Sequence, residues 1–333
     1  MSRTTVFLAL TVLMTGTAVA APIPKGVARA KGILILDDCD PGYKGQDEYH
    51  DNLTLLDPAG NSTFRLSGFN NCESIGSTRA VAADGGRKCV WAIENVAKRL
   101  RRFSLDGRET LEIPGVKGSA IAVDPATGNV WVSAGTGTLG KGHVAVYDDR
   151  GREVATYPIT SWDIAYDGSA KAFWVVERNL TKVSAETGKV IFSIPVAQWC
   201  AVSVDVDRRD GSAWAAVRAN GGAETNHLVK FDAKGLELAR VELGNRSAIR
   251  VSVDPLDGSV WAACGGAVRK YSADGKFQAS HAVSALAVQV DPAGGDVWVA
   301  TPTEIQRMTA EGKVKARLSH AGKTGQVWMA ALE

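Results

Sequence analysis

The sequence is poor in cysteine and histidine and has almost no excess of charge of either sign. Five cysteines occur in 333 residues, at positions 39, 72, 89, 200 and 264. No two of them are separated by just two residues, so the ligand spacing of a zinc ribbon is missing. An odd number cannot all pair within one molecule. Lys plus Arg (38) nearly balances Asp plus Glu (36). The basic residues are scattered except for Lys98-Arg99-Leu100-Arg101-Arg102, so the basic stripe of a nucleic-acid footprint is lacking. That one run reads as the solvated outer face of a strand. Beyond the N-terminus no apolar run is long and uncharged enough for a membrane-spanning helix.

The N-terminus itself is distinctive. Arg3 precedes an apolar core from Val6 to Met14, and Ala18-Val19-Ala20 before Ala21 forms a small-x-small cleavage site. Residues 1–20 therefore read as a signal peptide, and the Pro/Gly-containing segment 21–31 reads as a linker. Residues 32–333 read as a single domain. No cysteine follows the cleavage site, so lipid modification is not indicated. The expected product is soluble and secreted or periplasmic, and it is expected to act as a monomer.

What is present is a repeat. Trp91, Trp131, Trp174, Trp214, Trp261 and Trp298 are separated by 40, 43, 40, 47 and 37 residues. Each lies in a short apolar segment such as CVWAIE or VWVSA. Alternating runs ending in Asp, such as AIAVDPATGN and RVSVDPLDGS, come before the anchors at Trp131 and Trp261. Asp-Pro followed by Gly is turn chemistry, with Pro presetting φ and Gly accepting positive φ. Two further alternating runs joined by an Asp/Gly turn follow, as in HVAVYDDRGREVATY. Each unit is therefore four short antiparallel strands, A to D, with the Trp on B. Period-two alternation excludes a helical solenoid of similar repeat length. Four-stranded units repeating at this length predict an all-β fold, a β-propeller. GILILDD (32–38) reads as a strand B, and GQVWMAALE (325–333) supplies its missing strand A, with Glu333 in the register of the terminal Asp. Closure of the ring by the C-terminal strand gives seven blades. Six remain if the first unit and the last strand do not form a blade.

The stretch GGAETNHLVKFDAKG (221–235) sets Glu224 and His227 three residues apart, a spacing open to an acid/base pair or two metal ligands. His143 opens its own strand C as His227 does, which makes the histidine a marker of the repeat. NHLVKFDAKG, GHVAVYDDRG (142–151) and KRLRRFSLDG (98–107) resemble the strand-C segment of NHL-repeat propellers. The segments ending in Glu94 and Glu177 resemble the Trp-Phe-Thr-Glu repeats of virginiamycin B lyase-like, streptogramin-lyase-type propellers. The resemblance covers nearly the whole chain after the linker. It implies a propeller, and the group includes lyases, lactonase relatives, ligand sensors and interaction modules.

The resemblance also implies that the D-to-A and B-to-C loops gather at one mouth of a central channel lined by strand A. Glu94, Ala134, Glu177, Val217, Cys264 and Thr301 then end strand B at that mouth, with Asp37 or Asp38 as the counterpart in blade 1. Two residues before the terminal Asp of strand A stand Ala82, Ala122, Ala165, Ser203, Ser252 and Gln289. Four before it stand Ala80, Ala120, Asp163, Ala201, Arg250 and Ala287. Asp163 and Arg250 are the charged exceptions on a wall of small residues. The candidate binding residues are Asp163, Arg250, Glu94 and Glu177, and Glu94, Glu177 and Asp163 are also candidate ligands of a divalent cation, Mg²⁺ or Ca²⁺. The alternative is a mutual Asp163–Arg250 pair that compensates buried charge. Lyase relatives use a His base with Mg²⁺ held by glutamates, and His281 is the best-placed candidate catalytic residue. Thr301 stands where that pattern offers Glu. Glu94, Asn95 and Asp163 are the set that a lactonase-like ion site would use.

The insert 37–51 is densely acidic and also carries Cys39 and His50, without the spacing of an EF-hand. Cys39 and Cys72 fall on neighbouring connections and are expected to form a disulfide. Cys200 and Cys264 fall on the same face, and Cys89 is expected to be buried and unpaired. The favoured functional reading is a non-catalytic binding or interaction module whose partner, a protein or a small molecule, engages the mouth face. The alternative is a metal-assisted lyase or lactonase acting there.

Overall fold

The computed structural model describes residues 32–38, 51–69, 79–134, 142–196, 199–219, 225–244, 248–264, 266–291, 295–320 and 326–332. Blade 1 holds β1 (Gly32–Asp38), β2 (Asp51–Leu56) and β3 (Ser62–Phe69). Blade 2 holds β4 (Val81–Asp84), β5 (Cys89–Glu94), β6 (Arg99–Ser104) and β7 (Glu109–Pro114). Blade 3 holds β8 (Ala120–Val123), β9 (Val130–Ala134), β10 (His143–Tyr147) and β11 (Glu153–Tyr157). Blade 4 holds β12 (Asp163–Asp167), β13 (Ala172–Val176), β14 (Asn179–Ser184) and β15 (Val190–Pro195). Blade 5 holds β16 (Trp199–Val206), β17 (Ala213–Ala219), β18 (Asn226–Phe231) and β19 (Glu237–Gly244). Blade 6 holds β20 (Ala248–Val253), β21 (Val260–Cys264), β22 (Ala267–Tyr271) and β23 (Phe277–His281). Blade 7 holds β24 (Ala287–Val290), β25 (Val297–Ala300), β26 (Glu304–Met308) and β27 (Val314–Ser319). Finally β28 (Gln326–Leu332) returns to blade 1 as its inner strand.

These strands form seven four-stranded antiparallel sheets, which settles the blade number at seven. The inner strands touch in the cycle β28, β4, β8, β12, β16, β20, β24 and back to β28, so the ring is closed. Closure runs through β1 and β28, which pair antiparallel from Gly32↔Leu332 to Asp38↔Gln326. The backbone groups of β1 that an open ring would leave unpaired are thereby satisfied.

The repeat follows from two local devices. The first is the Asp that ends strand A. Oδ1 of Asp84, Asp124, Asp167, Asp207 and Asp254 accepts the backbone N–H of Arg87, Ala126, Ser169, Arg209 and Leu256 respectively, at 2.9–3.1 Å. Each caps its A–B turn from a buried position, as Asx-turns do. The second is the Trp of strand B, which packs into the next blade. Trp91 joins Ile121 and Val132 of blade 3, Trp174 joins Val204 and Ala215 of blade 5, and Trp298 joins Ile33 and Val327 of blade 1.

Over five of the six tryptophans lies a cation from strand C. The guanidinium of Arg102 sits 5.4 Å from the Trp91 ring and that of Arg307 5.7 Å from Trp298. Lys182, Lys230 and Lys270 lie over Trp174, Trp214 and Trp261 at 4.9, 5.9 and 5.5 Å. In each case the two residues are direct cross-strand partners. Blade 3 departs from the pattern. Val146 opposes Trp131, which stacks instead on Phe173 at 4.3 Å and Tyr157 at 5.3 Å. The basic run at 98–102 is thus no solvated face. Arg102 covers Trp91, and Arg101 lies over Phe69 and Phe103 at 4.7 and 4.8 Å between blades 1 and 2.

Candidate functional site

Asp163 begins the inner strand β12 and is fully buried. Its Oδ1 accepts from Ile164 N at 2.9 Å and Arg79 Nε at 3.2 Å. Its Oδ2 accepts from Val204 N at 3.0 Å and the Ser203 hydroxyl at 3.1 Å. The close ion pair of Asp163 is therefore with Arg79 of blade 2, where strand alternation points to Arg250. Arg250 lies within electrostatic range of both. Burial pushes its guanidinium down to about 10, Asp163 opposing the shift and Arg79 adding to it.

Glu94 is also fully buried, at the end of β5. Arg99 grips it with two bonds, Nε to Oε2 at 2.8 Å and Nη2 to Oε1 at 3.1 Å, and Arg101 Nη1 adds a third at 3.3 Å. The neighbouring Asn95 exchanges two bonds with the Gly118 backbone, at 2.9 and 3.0 Å, and so ties two loops together. Glu177 is buried just past β13. Among the described residues no three His, Cys, Asp or Glu side chains come together as a metal site.

His281 lies at the end of the outer strand β23, not in the loop that follows. Its ring stacks on Trp261 at 6.0 Å, and its Nε2 is 3.1 Å from the carbonyl of Ala310 in the C–D turn of blade 7. Tyr157 takes the same place over Trp131. Gly312, at φ 86°, has no room for a Cβ because the His281 ring fills that space. The ring is therefore wedged between two blades on the outer side of the sheet.

Asp37 meets a histidine that the sequence reading passed over. Its Oδ2 is 3.1 Å from His320 Nδ1, and His320 Nε2 is 3.1 Å from the Thr301 carbonyl. A carbonyl only accepts, so Nε2 is the donor to Thr301. This contact joins blades 1 and 7 beside the closure. Glu224, Cys39, Cys72 and Glu333 lie outside the described residues. Cys89 is buried and free, as expected.

A cavity of about 400 Å³ occupies the channel, lined by inner-strand residues and by the A–B turns. It corrects the register of blade 5. The segment VDVD offers two candidates for the terminal Asp. In every other repeat the capping Asp stands seven residues before the Trp, as Asp84 before Trp91 and Asp254 before Trp261 do. That spacing selects Asp207, two residues beyond the register first assigned. Ser203 then takes the position four before the cap and Asp205 the position two before it, where other blades carry Ala82, Ala122 and Ala165. Asp205 lines the cavity, and its Oδ2 accepts from Val253 N at 2.9 Å. Arg208 follows the cap directly, where other blades place Gly85, Pro125, Gly168 and Pro255 around the same cavity. Arg79 was missed because it precedes the regular part of β4 in an isolated bridge to Ala120, where alternation does not govern direction.

No family model matches the chain, and no curated protein matches it. Among solved structures, one titled Kuenenia stuttgartiensis Hydrazine Synthase is similar, with a TM-score of 0.60 and 15% sequence identity. The match covers 75% of this chain and 86% of that one. Identity this low speaks to the fold alone, and it agrees with the β-propeller seen here.

Proposed function

We propose that this protein is an exported, NHL-like β-propeller that acts as a binding or interaction module without chemistry of its own. One observation carries the reading: the titratable groups best placed for catalysis are engaged in holding the ring. Glu94 is clasped by Arg99 and Arg101, Asp163 accepts four hydrogen bonds, and His281 is wedged between blades. A general base must reach the proton it abstracts, and groups so committed are poorly placed to do so. The signal-like segment 1–20 supports export, and the NHL-like strand-C segments support a partner-binding role.

The test is thermal unfolding of the purified protein with Mg²⁺, Ca²⁺ or Zn²⁺. A ligand that binds only the folded state raises Tm with concentration. None of the three ions is expected to raise it saturably. A saturable rise that disappears in Glu177→Gln would overturn the reading in favour of a metal-assisted lyase or lactonase at the channel mouth.

A further inference from the structure

The outer wall of the ring carries apolar side chains that its core does not use. The repeat position three residues after the C–D turn glycine is exposed in all seven blades. Blades 3, 4 and 5 place Val154, Ile191 and Leu238 there. The other four place Gln278, Lys315, Thr63 and Thr110 at the same position. Val190 and Leu236 stand beside the apolar three, and Phe277 follows on blade 6. Among the described residues these six are the large apolar side chains left exposed, at 51–66%. Blades 7, 1 and 2 contribute none of them. The six form one band, because each C–D turn rests on the outer strand of the blade before it. A Cβ at Gly235 would come within 2.8 Å of Phe192 and 3.1 Å of Ile194, and one at Gly188 would overlap the Tyr157 ring. Leu236 therefore leaves its turn beside β15, and Val190 leaves its own beside β11. Exposed apolar residues gathered on adjoining blades mark an interaction surface.

We infer that this band, centred on β15, is the interface of a two-fold dimer of the chain. The sequence leads to the expectation of a monomer, and the outer wall points the other way. Charge selects the partner. β15 (VIFSIP) is the one outer strand with no ionisable side chain. It offers no counter-charge to an acidic or basic partner, and no like charges meet at its centre when it faces its own copy. Self-facing would instead oppose Glu109 and Glu112 on β7, or Lys315 and Arg317 on β27. The turns beside the band mix both signs, Arg152 with Glu153 and Lys234 with Glu237, and so lack the basic cluster that an anionic lipid surface attracts. Symmetry fits as well. Val154, Ile191 and Leu238 are equivalent positions at one height in the ring, disposed evenly about blade 4. A two-fold axis parallel to the channel brings Ile191 to its counterpart and turns Val154 of one copy toward Leu238 of the other. A stable interface removes about 1,000 Å² from water in all. One outer strand is too small for that, whereas a band across three blades has the extent. The contact is side-chain packing, not strand addition. Pro195 has no N–H, and the bulge in β15 leaves Ile191 without a ladder partner, both of which blunt an edge.

The dimer goes beyond the module reading and stands or falls separately from it. The test is sedimentation velocity of the purified protein from about 1 to 100 μM, a span that covers a modest affinity. A reversible shift from one to two protein masses is expected. Ile191→Glu should weaken dimerisation tenfold or more, and Thr63→Glu, at the same repeat position on blade 1, should leave it unchanged. Both side chains are exposed, and thermal unfolding checks that the variants fold. Mixing Ile191→Glu with Ile191→Lys should restore a dimer that neither forms alone, because the two counterparts meet across the axis. A monomer throughout, or a dimer indifferent to Ile191→Glu, overturns the inference. Loss without rescue on mixing overturns it too, since the band would then meet a different surface. A monomer that sediments with phosphatidylcholine vesicles, and ceases to in Ile191→Glu, would assign the band to lipid instead. Each of these results leaves the module reading standing.

Discussion

Lys182 and Asp167 allow the sharpest test of how the blades are held. The Lys182 side chain is 2% exposed and that of Asp167 0%, and their charged atoms approach to 2.7 Å. The ammonium directs a hydrogen bond to the Ala233 carbonyl of blade 5 at 2.9 Å and lies over Trp174. Asp167 caps its turn through Ser169 and Ala170. Lys182→Met keeps most of the stem but leaves a buried carboxylate with no cation. Breaking a buried pair in this way costs about 3–5 kcal/mol, mainly through the stranded charge. Asp167→Asn strands the ammonium instead and should cost a similar amount. The double variant strands neither charge, so its cost should fall short of the summed single costs by about 2 kcal/mol or more. Urea unfolding at neutral pH, followed by tryptophan fluorescence and circular dichroism with coincident transitions, measures all three. Because the pair is buried, the coupling should change little between about 0.1 and 1 M salt. A Lys182→Met cost below about 1 kcal/mol, or strict additivity, would refute the reasoning, because the pair would then behave as a surface ion pair.

Three further outcomes are expected. Trp328 is 1% exposed on the closing strand, so Trp328→Ala should lose about 3–5 kcal/mol and speed amide exchange in β1; unchanged exchange there would mean that closure does not depend on this packing. Burial above all, with Asp84 adding, pushes the Cys89 thiol up to about 11. It should ignore a disulfide reagent at pH 8 in the native protein and react on unfolding; prompt native labelling of Cys89 would contradict its burial. Burial first, then Arg240, lowers the pKa of His227, with Glu242 opposing. The unfolded chain then takes up the proton first, so the stability His227 contributes is present above about 6.5 and is lost as pH falls through that value toward the lower folded one. An NMR titration of the ring should give a midpoint below 6.5, and a midpoint above it would reverse the sign.

The fold was largely legible because its determinants are short-range. The Asp that caps each A–B turn and the Trp that follows it seven residues later are read directly from the chain. Pairing of 325–333 with 32–38 was legible too, since a strand B without a partner requires one. The cation over five of the tryptophans left a signal that went unread, a Lys or Arg just before the last apolar residue of strand C, as in RRF, VKF and RKY. Missing it made the run at 98–102 look solvated. The blade 5 error had a local cause as well: VDVD contains two Asp residues, and only the spacing to Trp214 distinguishes them.

By itself the sequence determined the blade and its turns, because alternation and turn chemistry act within a few residues, and it offered seven repeats closed by the C-terminal strand or six without it; the folded ring decided for seven. Only the tertiary structure decided which charges meet. Arg79 and Asp163 are 84 residues apart and come from blades 2 and 4, and the Arg79 guanidinium also reaches the Val204 carbonyl of blade 5. Ring closure brings equivalent positions of all seven blades to one axis. There a charged side chain takes its partner by distance through space, which no period along the chain encodes. For that reason Asp163 could be marked as exceptional from its position alone, while its pairing with Arg79 emerged only in the folded ring.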